Sequence, residues 1–207
     1  MHRVGHAAAF MLHHRPWGDA GRVVELFTLQ HGRISTFARG VRGAQSRLAG
    51  VLQPFVPLLV SWAGRGEAPR LTGAEVDHAN TVRDGLPHER LMSAWYLSEL
   101  VLSLTARHDP QPELYAHYAA ALAGLRGAGS QDRTLRLFEK RLLDVLGYGV
   151  ADLDEADFED PAQLLRLRPV LKQAVSQCLE GRNLRTRAVA ISLREFGRAQ
   201  REVQDGR

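Results

Sequence analysis

Arg33, Arg39, Arg42 and Arg47 lie in a stretch with no Asp or Glu between Glu25 and Glu67. Gly40 and Gly43 punctuate it, and a backbone without Cβ atoms can come close to a phosphate. Guanidinium groups without acidic neighbours in sequence suit nucleic-acid phosphates, whose condensed counterions they displace. Arg15 and Arg65 extend the group on either side. Trp17 either stacks a base, worth about 1–3 kcal/mol, or plugs one end of the fold.

Two further basic groups follow. Arg133, Arg136 and Lys140 fall on one helical pattern, with Lys140 spaced to pair with Asp144. Arg136 and Lys140 are like charges four apart, a repulsion that an anionic partner would relieve. Phe138 lies nearby on a different face. Near the C-terminus come Arg182, Arg185, Arg187, Arg194, Arg198 and Arg201, opposed between Arg182 and Arg201 only by Glu195. That stripe faces either phosphate or plain solvent.

Catalytic patterns are missing. No GxxxxGK[ST], HExxH or GxSxG occurs. His13 and His14 are adjacent on a strand-like run and are expected to point to opposite faces, a poor geometry for sharing a metal. The acidic run at 151–160 lacks the glycine and spacing of a calcium loop and reads as a solvated connector. Cys178 is the single cysteine, which excludes an intramolecular disulfide and a four-cysteine zinc site. It falls on the apolar side of a helical pattern, as a buried structural thiol would. These features point to a binding protein without a cofactor rather than an enzyme.

The chain has 207 residues, a net charge of +4 and a pI near 9.7, which favours a polyanionic partner. Lys140 and Lys172 are the only lysines, and a chain rich in Ala, Gly and Arg is also what a G+C-rich genome encodes. No signal peptide and no membrane-spanning run is evident, so a cytoplasmic protein is expected.

The elements that must position these residues fall into an α+β, multidomain arrangement. Residues 1–80 read as five short strands: Ala7–His13, Arg22–Thr28, Arg33–Arg39, Leu52–Trp62 and Pro69–Glu75. Gln30-His31-Gly32 closes a hairpin between the second and third. A Gly-rich or helical insert separates the third from the fourth. That pattern predicts an OB-fold β-barrel, with Arg15-Pro16-Trp17-Gly18-Asp19 and the turn at Arg65 as its ligand-binding loops. Residues 81–207 read as an all-α helical domain. Its central part, 81–149, holds helices over 87–107, 112–125 and 132–146. The rest, 150–207, holds the acidic connector, a helix opened by Pro169, and a last helix over 184–200.

Motifs from both parts resemble the RecO family of bacterial recombination mediators. They are LHHRPWGDAGRVVELFT, HGRISTFARGVRG, SRLAGVLQPFVPLLVSW and GRGE before LTGAE, then AWYLSELV, LRLFEKRLLDVLGYG and, weakly, GRNLRTRAV. The resemblance implies binding of single- and double-stranded DNA and annealing of complementary strands. It also implies cooperation with RecR in loading RecA onto DNA coated with single-strand-binding protein (SSB). On it, Arg15, Trp17, Arg33, Arg39, Arg42, Arg47, Arg65, Arg185 and Arg187 are the DNA-binding candidates. Leu52, Arg136 and Phe138 are the candidates for a pocket that takes the acidic C-terminal tail of SSB. An adaptor that binds the tail with little DNA activity is the alternative. Many relatives carry a longer segment after GYG, some with four zinc-binding cysteines; here that segment is short, acidic and cysteine-free.

Overall fold

The computed structural model describes residues 2–19, 21–40, 47–80, 85–150, 153, 155–186, 188 and 189. Five strands, β1 (Arg3–Trp17), β2 (Gly21–Thr28), β3 (Gly32–Ala38), β4 (Pro57–Ala63) and β5 (Arg70–Val76), close a barrel in the order β1-β2-β3-β5-β4. A short helix α1 (Arg47–Val51) sits between β3 and β4. Strand order and helix position are those of an OB-fold.

Closure depends on β1. Its first half pairs antiparallel with β4 and its second half with β2. The register shifts between Val4 and Ala7 on one side and between Met11 and His13 on the other. Such bulges let one strand coil enough to serve two neighbours. The hairpin β2–β3 turns through Leu29–His31, with Thr28 opposite Gly32. Gly32 has φ of 65°, and an added Cβ would lie 2.2 Å from the Asp109 carbonyl oxygen. Only glycine fits there.

The barrel encloses Ala9, Met11, Val24, Leu26, Ile34, Leu58, Val60, Trp62 and Leu71. Its outer face supplies Phe10, Leu12 and Phe27, joined by Phe55, to a second core shared with the helices. Those helices are α2 (Leu91–Leu104), preceded by a 3-10 turn at His88–Arg90, then α3 (Pro112–Arg126), α4 (Gln131–Val145) and α5 (Pro161–Cys178). Tyr118 is fully buried, meets Phe10 edge-on at 5.2 Å and bonds Ser98 Oγ at 2.8 Å. Each buried aromatic contributes roughly 1.5–3 kcal/mol. The helices are therefore fixed to one outer face of the barrel.

Several expectations need correction. β1 runs through Trp17, so Arg15 and Trp17 stand on a strand end and not in a loop. The expected strand Leu52–Trp62 begins only at Pro57, because α1 ends at Val51 and Phe55 takes a φ of 68°. The helix expected to open at Pro169 opens at Pro161 and carries Pro169 inside it. Asp160 caps it, its carboxylate accepting from Ala162 N at 2.8 Å, and Pro161 takes the first turn, where a missing N–H costs nothing. Leu164, Leu171 and Val175 then face inward. The acidic connector is tied in as well, through Glu159 to Arg133. Cys178 is only half-buried, and burial raises its thiol pKa. The final helix over 184–200 falls largely outside the described residues. Among the described residues, no helix is long and apolar enough to cross a membrane.

Candidate nucleic-acid interface

Cross-strand partners in a sheet put their side chains on the same face, so the register defines rows on the barrel exterior. One row is His13, Glu25 and Ser35. The next is Arg15, Val23, Phe37 and Arg70. It continues round the barrel through Ala63 to Arg3. Trp17 and Gly21 lie one step further, beside Arg39 at the end of β3.

The first row is covered. Glu25 accepts from Arg107 Nη2 at 2.7 Å and from Ser35 Oγ at 2.5 Å, and pairs with Arg33 Nη1 at 3.5 Å. Arg33 also donates to the Thr105 carbonyl at 2.9 Å, while His108 N donates to the Arg33 carbonyl at 3.0 Å. The Arg33 side chain is 14% exposed. Arg33 therefore locks the barrel to the segment after α2, and its guanidinium is engaged there and does not face the open surface. Its acidic partner lies across the hairpin, just outside the stretch that is acid-free in sequence.

The following rows are open. Trp17 is 54% exposed, so it does not plug the barrel. The Arg15 guanidinium lies 5.4 Å from the Trp17 ring centroid, and that of Arg39 lies 5.8 Å from Phe37. Both pairs arise from i, i+2 spacing on one strand face. Gly21 makes room for Phe37, whose ring atoms lie 2.9 Å from where a Cβ would stand. Among the described residues no carboxylate pairs with Arg3, Arg15, Arg39, Arg65 or Arg70. Arginines beside the exposed Trp17 ring and the half-buried Phe37 ring can hold backbone and stack bases without reading sequence. Phe37, Arg70 and Arg3 were missed from sequence. The Ser35-Phe37-Arg39 alternation signals Phe37, but Arg70 and Arg3 enter only through the sheet register.

Other candidates divide. Arg65 is exposed in the β4–β5 turn. The backbone N–H groups of Arg185 and Thr186 donate to the Glu99 carboxylate at 2.6 and 2.9 Å, and Arg182 donates to the Ser103 carbonyl at 2.6 Å, so part of the third basic group anchors the chain. Arg42 and Arg187 lie outside the described residues, as does the side chain of Arg47.

Leu52, Arg136 and Phe138 do not share one surface. Leu52 is buried in the barrel core and Phe138 in the helical core. Arg136 is buried against Glu139 at 3.0 Å, and Glu139 also accepts from Tyr96 Oη at 2.6 Å. Burial raises the pKa of Glu139 even against the opposing pull of Arg136. Glu139 for Arg136, and Asp144 for Lys140 at 2.8 Å, relieve the like-charge repulsion internally. Phe138 does border a groove of about 230 Å³ between α3 and α4, whose rim includes His117, Arg133 and Arg141. His13 pairs with Glu25 on the outer face and His14 with Val24 of the barrel core, and their rings lie near-parallel with centroids 6.3 Å apart. Among the described residues no group of three His, Cys, Asp or Glu could hold a metal.

Comparison with known proteins decides the family. Residues 1–79 match the family model "Recombination protein O N terminal" and residues 88–197 match "Recombination protein O C terminal". The chain belongs to the RecO family of DNA repair proteins. It is similar to the DNA repair protein RecO of Methylococcus capsulatus, 44% identical over 72% of this chain and 60% of the relative. It is also similar to that of Nitrosococcus oceani, 40% identical over 86% of this chain and 73% of the relative. With RecO of Coxiella burnetii the identity is 41% over 72% and 62%. The chain thus spans about three-fifths of the length of the first of these relatives.

Proposed function

We propose that this RecO-family chain is a non-enzymatic, cytoplasmic recombination mediator. It binds single- and double-stranded DNA, anneals complementary strands coated with SSB, and works with RecR to load RecA. The observation that carries the reading is the open exterior of the barrel, where Arg15, Arg39 and Arg70 alternate with Trp17 and Phe37 and meet no carboxylate among the described residues. Arg65 and Arg185 are peripheral backbone contacts in this reading. Arg42, Arg47 and Arg187 remain part of it on sequence alone.

A second reading, an adaptor for the acidic tail of SSB, is favoured by the α3–α4 groove. Phe138 supplies apolar floor there. Arg141, exposed and without an ion pair among the described residues, supplies the cation for a terminal carboxylate. The internally paired Arg136 orders this wall in place of contacting the tail, and Leu52 belongs to the barrel core.

The test is annealing of complementary oligonucleotides coated with SSB, intact or lacking its last residues. Annealing should depend on the tail, fall in Arg15→Ala/Arg39→Ala, and fall separately in Arg141→Ala. Tail binding without annealing on coated or bare strands would favour the adaptor.

A further inference from the structure

The row that runs round the barrel ends on two arginines with a small residue between them. Arg3, Ala63 and Arg70 are direct neighbours across β1, β4 and β5. Strands lie about 4.8 Å apart, so the two arginines stand two strand spacings apart and Ala63 leaves a dip between them. Arg39 enters from the end of β3, and Leu48 of α1 with Leu71 and Thr72 completes the lining. The hollow measures about 350 Å³. Three arginines and, among the described residues, no Asp or Glu line it. None of the three makes an ion pair or a side-chain hydrogen bond among the described residues.

We infer that this pocket is a phosphate subsite, which takes an internal phosphodiester of a DNA strand leaving the Trp17–Phe37 platform. The inference rests on the DNA-binding reading above and adds the path of the strand. Arg39 and Arg70 belong to both the platform and the pocket, so a strand laid over Phe37 is led into the pocket at its next phosphates. Three planar donors can surround one phosphate group, while the alkyl stems with Ala63 and Leu48 offer apolar contact to a sugar. The path therefore turns toward α1 and the N-terminal end of β1, away from the helices fixed over Glu25.

Fluorescence anisotropy with a 3′-labelled oligodeoxythymidylate, titrated with the full chain over a series of NaCl concentrations, tests this. Each phosphate contact on a single strand contributes about 0.7 to the slope of log affinity against log salt. Arg3→Gln and Arg70→Gln should each lower the slope, and the double variant should lower it by about 0.7, the share of the one phosphate they hold together. Thr72→Glu, which puts a carboxylate on the pocket rim, should weaken binding, while Arg166→Gln on α5 should leave the slope unchanged. All four positions are exposed, and unchanged melting curves confirm that the variants fold. The effect should be the same for strands with and without a 5′-phosphate.

A wild type that binds with a steep slope, and Arg3→Gln and Arg70→Gln slopes equal to it, would overturn the pocket and leave the DNA-binding reading standing. An effect confined to 5′-phosphorylated strands would assign the pocket to a strand end and overturn the continuous path. Failure of the wild type to bind at all would overturn the DNA-binding reading, and the pocket with it.

Discussion

Arg33 stands on β3 and Arg39 just past its end, in phase with the same strand face, and their surroundings are opposite. Arg33 meets Glu25 and the Thr105 carbonyl beneath the helices, whereas Arg39 lies over Phe37 with no carboxylate partner among the described residues. The difference follows from where the helical part covers the barrel. At the covered end, an arginine replaces lost water with charge-assisted hydrogen bonds and becomes a structural fastener. At the open end the same residue type keeps its charge available. Counting arginines along the chain cannot separate the two roles, because the carboxylate that decides them is supplied across the hairpin.

The largest effect should come from stripping the covered end of its anion. Glu25→Ala leaves Arg33 buried without its counter-charge and should cost about 3 kcal/mol or more of stability, measured by urea unfolding. The folded fraction should keep its affinity for single-stranded DNA. A matching loss of affinity would mean that the two ends are not separate in function. Removing the platform at the open end reverses the pattern. Trp17→Ala should weaken binding of an oligodeoxythymidylate by about 1–3 kcal/mol while stability stays within about 0.5 kcal/mol, as expected for a half-exposed side chain.

Next comes the joint between the ends. Gly32→Ala forces a Cβ into the Asp109 backbone at a positive φ, and should cost about 1–2 kcal/mol. Unfolding midpoints would register it, and DNA affinity at low temperature would not. The smallest effect is protonic. Burial, then Arg22 and His13, hold the His14 pKa below its ordinary value. The unfolded chain then takes up a proton first, so the His14 contribution is intact at neutral pH and is lost as pH falls below about 6.5. Melting temperatures should decline in that window, and His14→Gln should flatten the decline.

Much of the fold was legible in local pattern. Alternating apolar runs marked the strands, the Gln30-His31-Gly32 turn marked the β2–β3 hairpin, and helical periodicity marked α3 and α4. The errors sit where local rules compete. Pro16 looked like a loop residue, yet it pairs with Arg22 near the end of β1, where a missing N–H is tolerated. Pro169 looked like a helix start, but the Asp160-Pro161 cap eight residues upstream provides a better one. The pairing of Thr28 with Gly32 already sets Glu25 opposite Ser35, one diagonal from Arg33, so the fate of Arg33 could have been drawn from the predicted hairpin. Arg3 and Arg70 could not, since their neighbours are fixed by barrel closure and by the parallel contact of β3 with β5. The division of Leu52, Arg136 and Phe138 among separate environments was likewise set by tertiary packing.

The most direct measurement is the salt dependence of single-stranded DNA binding by the wild type beside the triple variant Arg15→Gln/Arg39→Gln/Arg70→Gln. The open rows predict steep salt dependence for the wild type, with a slope lower by about 1.4 in the triple variant at unchanged thermal stability. Equal slopes for the two proteins would contradict the account and place the DNA contacts elsewhere on the chain.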